Sequence, residues 1–272
     1  MKKTILLTGA TDGIGLETAK QLVTKGHHLL LHGRNPEKLS AAVEQLKTLS
    51  PTASIEPFVA DLSRFQDIEQ LVSSIAQKHK HLDVIINNAG VFSTSSPMTL
   101  NGLDVRFVVN TIAPYLITKG LIPLMGNQGR IVNVSSAAQT TVDLAALKGQ
   151  RQLSDNAAYA QSKLAIIMWT NTLTAHQKLG RPLMVSVNPA SMLGSKMVTE
   201  AYGVVGGDLS IGADILTRAA LSSEFDQADG LYFDNDLGKF AKPHPDALDQ
   251  RKAKQVTDTI DRIVSELGVE QI

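Results

Sequence analysis

Tyr159 and Lys163 stand four residues apart in a chain of 272, within a segment of helical character over residues 156–179. On a helix, positions i and i+4 are neighbours on one face. A phenol at its ordinary pKa of about 10 is a poor base near neutral pH, and an adjacent ammonium stabilises its phenolate. Such a pair can take a proton from an alcohol or return one to a developing alkoxide. The same spacing also fits a solvated Tyr/Lys pair with no task. What raises it is its company: a glycine-rich turn over 8–15, then Asn87-Asn88-Ala89-Gly90, Ser135-Ser136 and Asn188-Pro189. In a parallel α/β fold each of these falls at the carboxyl end of a strand, along one edge of the sheet.

The elements that must position them follow in order. Ile5-Leu6-Leu7 is a short apolar run. Thr8-Gly9-Ala10-Thr11-Asp12-Gly13-Ile14-Gly15 and a helical pattern through Lys25 come next. Strand, tight turn and helix form the context in which glycines allow φ > 0 and close backbone approach. The helix N-terminus then offers free N–H groups to a phosphate. Residues 28–32 give a second strand, ending at Gly33-Arg34-Asn35-Pro36, with a helix over 37–49. A carboxylate at this strand end would accept from a ribose 2′-hydroxyl, whereas an arginine suits a 2′-phosphate. Neither position 33 nor 34 is acidic, which favours NADP(H) over NAD(H); the alternative is a solvated loop arginine.

A third strand over 55–59 closes on Ala60-Asp61-Leu62, a helix spans 65–78, and Val84-Ile85-Ile86 is apolar throughout, as a strand buried on both faces should be. Four strands alternating with three helices predict a parallel sheet with right-handed crossovers. A long helical segment over 100–124 carries Asn110. A mid-helix Asn can be solvated, or can kink the helix and hold a water. The fifth strand covers 129–134, one helical turn 143–147, and the sixth strand 183–187. Glycines and apolar residues over 191–209 suggest a flap over a site, or an ordinary surface helix with loose ends. A helix over 209–222, a short strand over 230–233 and a polar-rich outer helix over 243–267 end the chain. Trp169 reads as core. His27, His28, His32, His79 and His81 lack metal-ligand spacing and read as surface or strand-end residues. No repeat or composition break appears, so one domain over 1–272 is expected.

Composition narrows the chemistry. Twenty-six basic residues balance 26 acidic ones, against the basic excess a nucleic-acid partner needs. With no cysteine, thiol catalysis and thiolate-bound metals are excluded. The apolar run after Met1-Lys2-Lys3 is too short for a secretion signal, and no stretch near the roughly 18 residues of a membrane span is expected. A soluble, cytoplasmic protein with no metal is the expectation.

The ordered set Thr8-Gly-x-x-x-Gly-x-Gly15, Asn87-Asn-Ala-Gly90, Ser136 and Tyr159-x-x-x-Lys163 resembles the short-chain dehydrogenase/reductase family, from residue 4 to about 233. That resemblance implies a doubly wound Rossmann-type sheet of seven strands, order 3-2-1-4-5-6-7, with helices on both faces and the cofactor at the switch point between strands 1 and 4. It implies that Ser136, rather than Ser135, is the catalytic serine, and that Asn110 helps hold a proton-relay water. Asp61 would lie near the adenine with Leu62 beside the base, and residues 87–90, including Asn88, Ala89 and Gly90, would line the cofactor's inner side. Lys163 would contact the nicotinamide ribose. A homodimer or homotetramer through the helices carrying Asn110 and Tyr159 is implied as well.

Two departures stand out. Ser136 and Tyr159 are 159 − 136 = 23 residues apart, longer than is common in that family. The spacing resembles the retinol dehydrogenase-like and protochlorophyllide reductase-like branches, where an insertion borders the substrate site. The expected Pro-Gly after strand six is Pro189-Ala190, with Ser191 or Ser195 in place of a threonine. The function implied is carbonyl–alcohol interconversion on an apolar or bulky small molecule, with Tyr159 as general acid/base. A cofactor-sensing regulator without chemistry is one alternative. A sugar-nucleotide epimerase or dehydratase is the other, although only 272 − 233 = 39 residues follow the last strand.

Overall fold

The structure, a computed structural model, describes residues 1–175 and 180–269, with the side chains of all but 200–202. The expected end of the Tyr159 helix at Leu179 and the Tyr202 side chain of the flap lie outside the described residues.

Strand residues alternate between two apolar layers, one on each face of the sheet. In β1 (Thr4–Leu7), Ile5 and Leu7 enter one layer and Leu6 the other. In β2 (His28–Gly33), Leu29 and Leu31 oppose Leu30, and in β4 (Val84–Asn87), Val84 and Ile86 oppose Ile85. Apolar side chains at consecutive positions are what a strand covered on both faces requires. The connecting helices α1 (Gly13–Thr24) and α2 (Pro36–Leu49) pack on one face, and α3 (Phe65–Lys78) on the other.

The sheet order is β3-β2-β1-β4-β5-β6-β7-β8, with β3 (Ser54–Val59), β5 (Arg130–Val134), β6 (Leu183–Asn188) and β7 (Tyr232–Asp234). The expected order 3-2-1-4-5-6-7 is present and every pair in it is parallel. An eighth strand, β8 (Lys239–Ala241), joins the edge antiparallel to β7. Gly238, at φ 63°, supplies the left-handed backbone for that reversal. The chain winds outward from β1 in both directions, so a crevice opens at the carboxyl ends of β1 and β4.

The expected 100–124 helix begins only at Val105, where Asp104 accepts from the Arg106 N–H. It runs as α4 (Val105–Phe107), a π turn (Val108–Ile112) and α5 (Ala113–Leu121). The π turn carries Asn110. Contrary to expectation, Val105–Leu124 is long and apolar enough to cross a membrane by length and composition; in this fold 67% of its most apolar stretch is buried.

Beyond β5, α6 (Leu144–Leu147) is the expected helical turn of the insertion, and α7 (Asp155–Ala175) carries Tyr159 and Lys163. Trp169 is fully buried, edge-on to Tyr115. After β6 come α8 (Lys196–Tyr202) and α9 (Leu209–Leu221). The polar-rich end divides into α10 (Pro245–Leu248) and α11 (Gln250–Glu266). α11 lies along α7, and its Asp261 accepts from Tyr115 of α5 at 2.7 Å. Part of the helical surface expected to carry an oligomer contact is therefore covered within one chain.

Candidate active site

The glycine turn is built by contacts that admit only hydrogen. A Cβ on Gly15 would stand 2.1 Å from the Gly9 carbonyl oxygen and 2.5 Å from Asn88 Nδ2. One on Gly9, at φ 65°, would meet Ala89 Cα at 2.7 Å. Polar groups lock the same junction. Thr8 Oγ1 accepts from the N–H groups of Asn88 and Ala89, and Asn88 Nδ2 donates to the carbonyls of Thr8 and Gly9. The Asn88 side chain thus serves the turn itself. Asp12 caps α1 and holds the Gly13 N–H at 2.7 Å. Thr11 packs so close to Gly33 that a Cβ there would lie 2.4 Å from its methyl.

His32 lies at the end of β2, one of the two placements expected of it, and His27, 8% exposed, just precedes that strand. His32 is 2% exposed and lies beneath the turn. Its Nδ1 accepts from the Gly9 N–H at 3.2 Å, so Nε2 carries the proton and donates to the Ala60 carbonyl at 3.0 Å. One ring therefore ties the ends of β1, β2 and β3. Burial lowers its pKa to about 4, against small opposing pulls from the Ala60 bond and Asp61. The ring is neutral at any ordinary pH.

Arg34 leaves the end of β2 exposed and forms no ion pair with a described residue. Asn35 spends its carbonyl capping α2 through the Lys38 N–H. Asp61 accepts from both the backbone and the hydroxyl of Ser63. Leu62 is 5% exposed and packs in the core with Phe65 and Ile68, so its side chain does not face the cleft.

Around α7 the polar atoms are held from three sides. Ser135 is buried and its Oγ donates to the Lys163 carbonyl at 2.7 Å. The next residue, Ser136, is half-buried on the cleft wall, its Oγ accepting from the Ala138 N–H. Both follow the end of β5 and border the cleft, Ser135 with its hydroxyl turned to α7. Asn110, 1% exposed, exchanges two bonds with the Val91 backbone and donates to Ser162 Oγ, which in turn donates to the Tyr159 carbonyl. Its side chain thus joins Val91 to the Tyr159 turn. Lys163 Nζ lies 5.7 Å from the Tyr159 ring centroid and donates to the Val134 carbonyl at 2.7 Å. Burial alone pulls its pKa down to about 8. The Phe92 ring lies against Tyr159, centroids 4.9 Å apart.

One cleft of about 340 Å³ gathers Gly13, Ile14, Gly15, Gly90, Ser136, Tyr159, Lys163, Pro189 and Ser191. Thr11, Arg34, Asn35, Asp61, Leu62 and Asn110 do not line it. Its far wall is formed by residues of the segment 189–198. Gly194 N–H donates to the Gly207 carbonyl and Gly207 N–H to that of Met192, closing the root of α8, while Leu193 is buried against Ile14 and α9. Ala190 lies at φ 114° and Met192 at φ 55°. Such backbone costs a non-glycine residue on the order of 1–3 kcal/mol. The Ser191 hydroxyl donates to Asp236 at 2.5 Å, and Ser195 Oγ accepts from the Val198 N–H as the cap of α8. The insertion differs from expectation too: of residues 137–155, Ala138 alone among those described lines the cleft. Asp143 N–H is bonded to Gln161, which holds the insertion against α7 instead.

Sequence reasoning missed the residues that support the site from behind. Gln139 and Tyr232 both donate to the Ser136 carbonyl, and the Asp236 carboxylate grips residues 188–191. The partners of Tyr232 and Asp236 lie tens of positions away along the chain, and Gln139 gives no sign in the sequence that it turns back to Ser136.

A doubly wound parallel sheet, a glycine turn at its switch point and a Tyr/Lys pair at its carboxyl edge define a dinucleotide-binding oxidoreductase architecture. The family described as short chain dehydrogenase matches residues 3–202, and the chain belongs to it. Human retinol dehydrogenase 13 is 28% identical over 284 residues, covering 96% of this chain and 84% of that protein. Human polyprenol dehydrogenase is 35% identical over 173 residues, 61% of this chain and 52% of that one. A short chain dehydrogenase from Shigella flexneri complexed with NADP is 25% identical with a TM-score of 0.67, covering 86% of this chain and 97% of that chain.

Proposed function

We propose that this protein is an NADP(H)-dependent oxidoreductase that interconverts an apolar or bulky carbonyl compound and its alcohol, with Tyr159 as general acid and base. The observation that carries the reading is the single cleft that joins the glycine turn to Ser136, Tyr159 and Lys163. The residues present fit a dinucleotide. Gly13, Ile14 and Gly15 open a helix N-terminus in the cleft, and Arg34 offers an unpaired cation beyond the adjacent strand. Once bound there, a nicotinamide supplies or accepts the hydride.

The chain's own residues do the rest. Ser136 donates a hydrogen bond to the substrate oxygen and orients it toward the Tyr159 hydroxyl. Tyr159 protonates that oxygen on reduction and deprotonates it on oxidation. Lys163, charged below about pH 8, stabilises the phenolate and binds the ribose. Phe92, Val134, Leu193, Met197 and Val198 give the cleft an apolar wall, which suits a hydrophobic substrate. Relatives named for retinol and polyprenol agree with that class.

The test is a panel of ketones and aldehydes, from short polar compounds to long isoprenoid aldehydes, each with NADPH and with NADH, followed at the reduced-nicotinamide absorbance. Turnover of the apolar members with NADPH is expected. Oxidation or reduction of none of them, or equal use of NADH, would contradict it.

A further inference from the structure

Ala190 occupies backbone that only glycine adopts without strain, at φ 114°, on the wall of the cleft. Something must hold it there. The structure shows what does: three consecutive residues, from the end of β7 into the β7–β8 turn, bond the segment around Ala190. Asp234 Oδ1 accepts from Asn188 Nδ2 at 2.9 Å. Asn235 donates its N–H to the Asn188 carbonyl at 3.1 Å and its side-chain amide to the Pro189 carbonyl at 3.0 Å. Asp236 accepts three donors, Ser191 N–H at 2.8 Å, Ser191 Oγ–H at 2.5 Å and Asn188 Nδ2 at 2.9 Å.

We propose that the Asp234-Asn235-Asp236 turn is a clamp that imposes the Ala190 conformation from outside, with Asp236 as the positioning residue. It stands in for the glycine this chain lacks at position 190. Asp236 belongs to the eighth-strand hairpin, so the edge strand added to the sheet has a use: it carries the clamp. Partial burial of its carboxyl pushes its pKa up, but the Ser191 N–H, the Ser191 hydroxyl and the Asn188 amide together hold it below the ordinary range. The group is an anion whenever the protein is folded near neutral pH, which makes its bonds the charge-assisted kind. The segment it fixes, Pro189-Ala190-Ser191, lines the cleft beside Tyr159. Rigid placement of such a segment governs binding more than the proton step, because the clamp's bonds run to the backbone and side chains of residues 188–191.

The effect on cofactor rests on the oxidoreductase reading above; the effect on the backbone does not. Both are measured on the full chain. Asp236→Ala is compared with wild type by hydrogen exchange of the peptide covering 188–195 and by fluorescence titration with NADPH. At least tenfold faster exchange is expected, with at least tenfold weaker NADPH binding and less than a fivefold fall in kcat at saturating cofactor. Adding Ala190→Gly to Asp236→Ala is expected to bring NADPH binding back to within threefold of wild type. A merely structural loss would not be repaired by removing one methyl. Unchanged exchange in Asp236→Ala, or a double variant that binds no better than the single one, would overturn the clamp. Should Asp236→Ala not fold, Asp236→Asn, which keeps one acceptor, carries the same comparison. Failure of the wild type to bind either nicotinamide would sink the oxidoreductase reading, while the exchange arm would still decide the clamp.

Discussion

The two walls of the cleft are built on opposite plans. On the Gly9–Gly15 side, backbone meets backbone at distances that leave no room for a methyl, and the buried Thr8 and His32 and the half-buried Asn88 find partners within the strand ends. On the Ala190–Gly207 side, two residues hold positive φ without being glycine, and Met192 and Val205 are exposed. The first wall is fixed by the close-packed sheet; the second is fixed by a turn reaching in from the sheet edge. A wall that must meet one invariant group benefits from rigidity. A wall of irregular backbone depends on bonds from outside the sheet to keep its shape.

That contrast can be broken most forcefully on the rigid side. Gly15→Ala would press its methyl onto the Gly9 carbonyl and Asn88, with no flexible side chain to give way. A stability loss of about 3 kcal/mol is expected from overpacking, together with loss of NADPH binding. Denaturant unfolding and titration measure both; a normal Gly15→Ala would show that the turn has slack.

Acid attacks the same wall through His32. Its pKa is about 4 in the fold and 6.5 when unfolded, so between those values the unfolded chain binds more protons. Stability is therefore expected to fall as pH drops from 6.5 toward 4, by about 3 kcal/mol at the lower end. Protonation also places a hydrogen on Nδ1, facing the Gly9 N–H. In His32→Gln this acid limb should shrink, which a series of unfolding curves against pH would reveal.

Arg34 sharpens the comparison from outside the cleft. Its replacement in Arg34→Asp should weaken NADPH binding by about 2 kcal/mol, the usual worth of a hydrogen bond to a charged group. NADH binding should change several-fold less. Equal effects on both cofactors would remove Arg34 from any 2′-phosphate contact.

What the sequence disclosed follows the same division. β1, β2 and β4 were legible because strands buried on both faces are apolar at every position, and the glycine turn because its sterics demand hydrogen at Gly9 and Gly15. The Tyr159/Lys163 pair stood out by residue type and spacing, and Ser136 was singled out only through the family resemblance. The clamp was not legible, because Asp236 and Ser191 meet only when β7 pairs with β6. Nor was the buried state of His32: a lone imidazole at a strand end looks the same whether it faces water or the Gly9 amide. The 137–155 insertion misled for a related reason. Its length suggested a substrate wall, but Asp143 and Gln161 turn it onto α7.

The proton step is most directly tested with Tyr159→Phe. That change removes one oxygen and leaves the ring against Phe92. NADPH affinity, by titration, is expected to stay within threefold of wild type while turnover of the best carbonyl substrate falls by about 10²–10⁴, the usual worth of a positioned acid. Retained turnover with unchanged cofactor affinity would contradict the assignment of Tyr159 and the mechanism built on it.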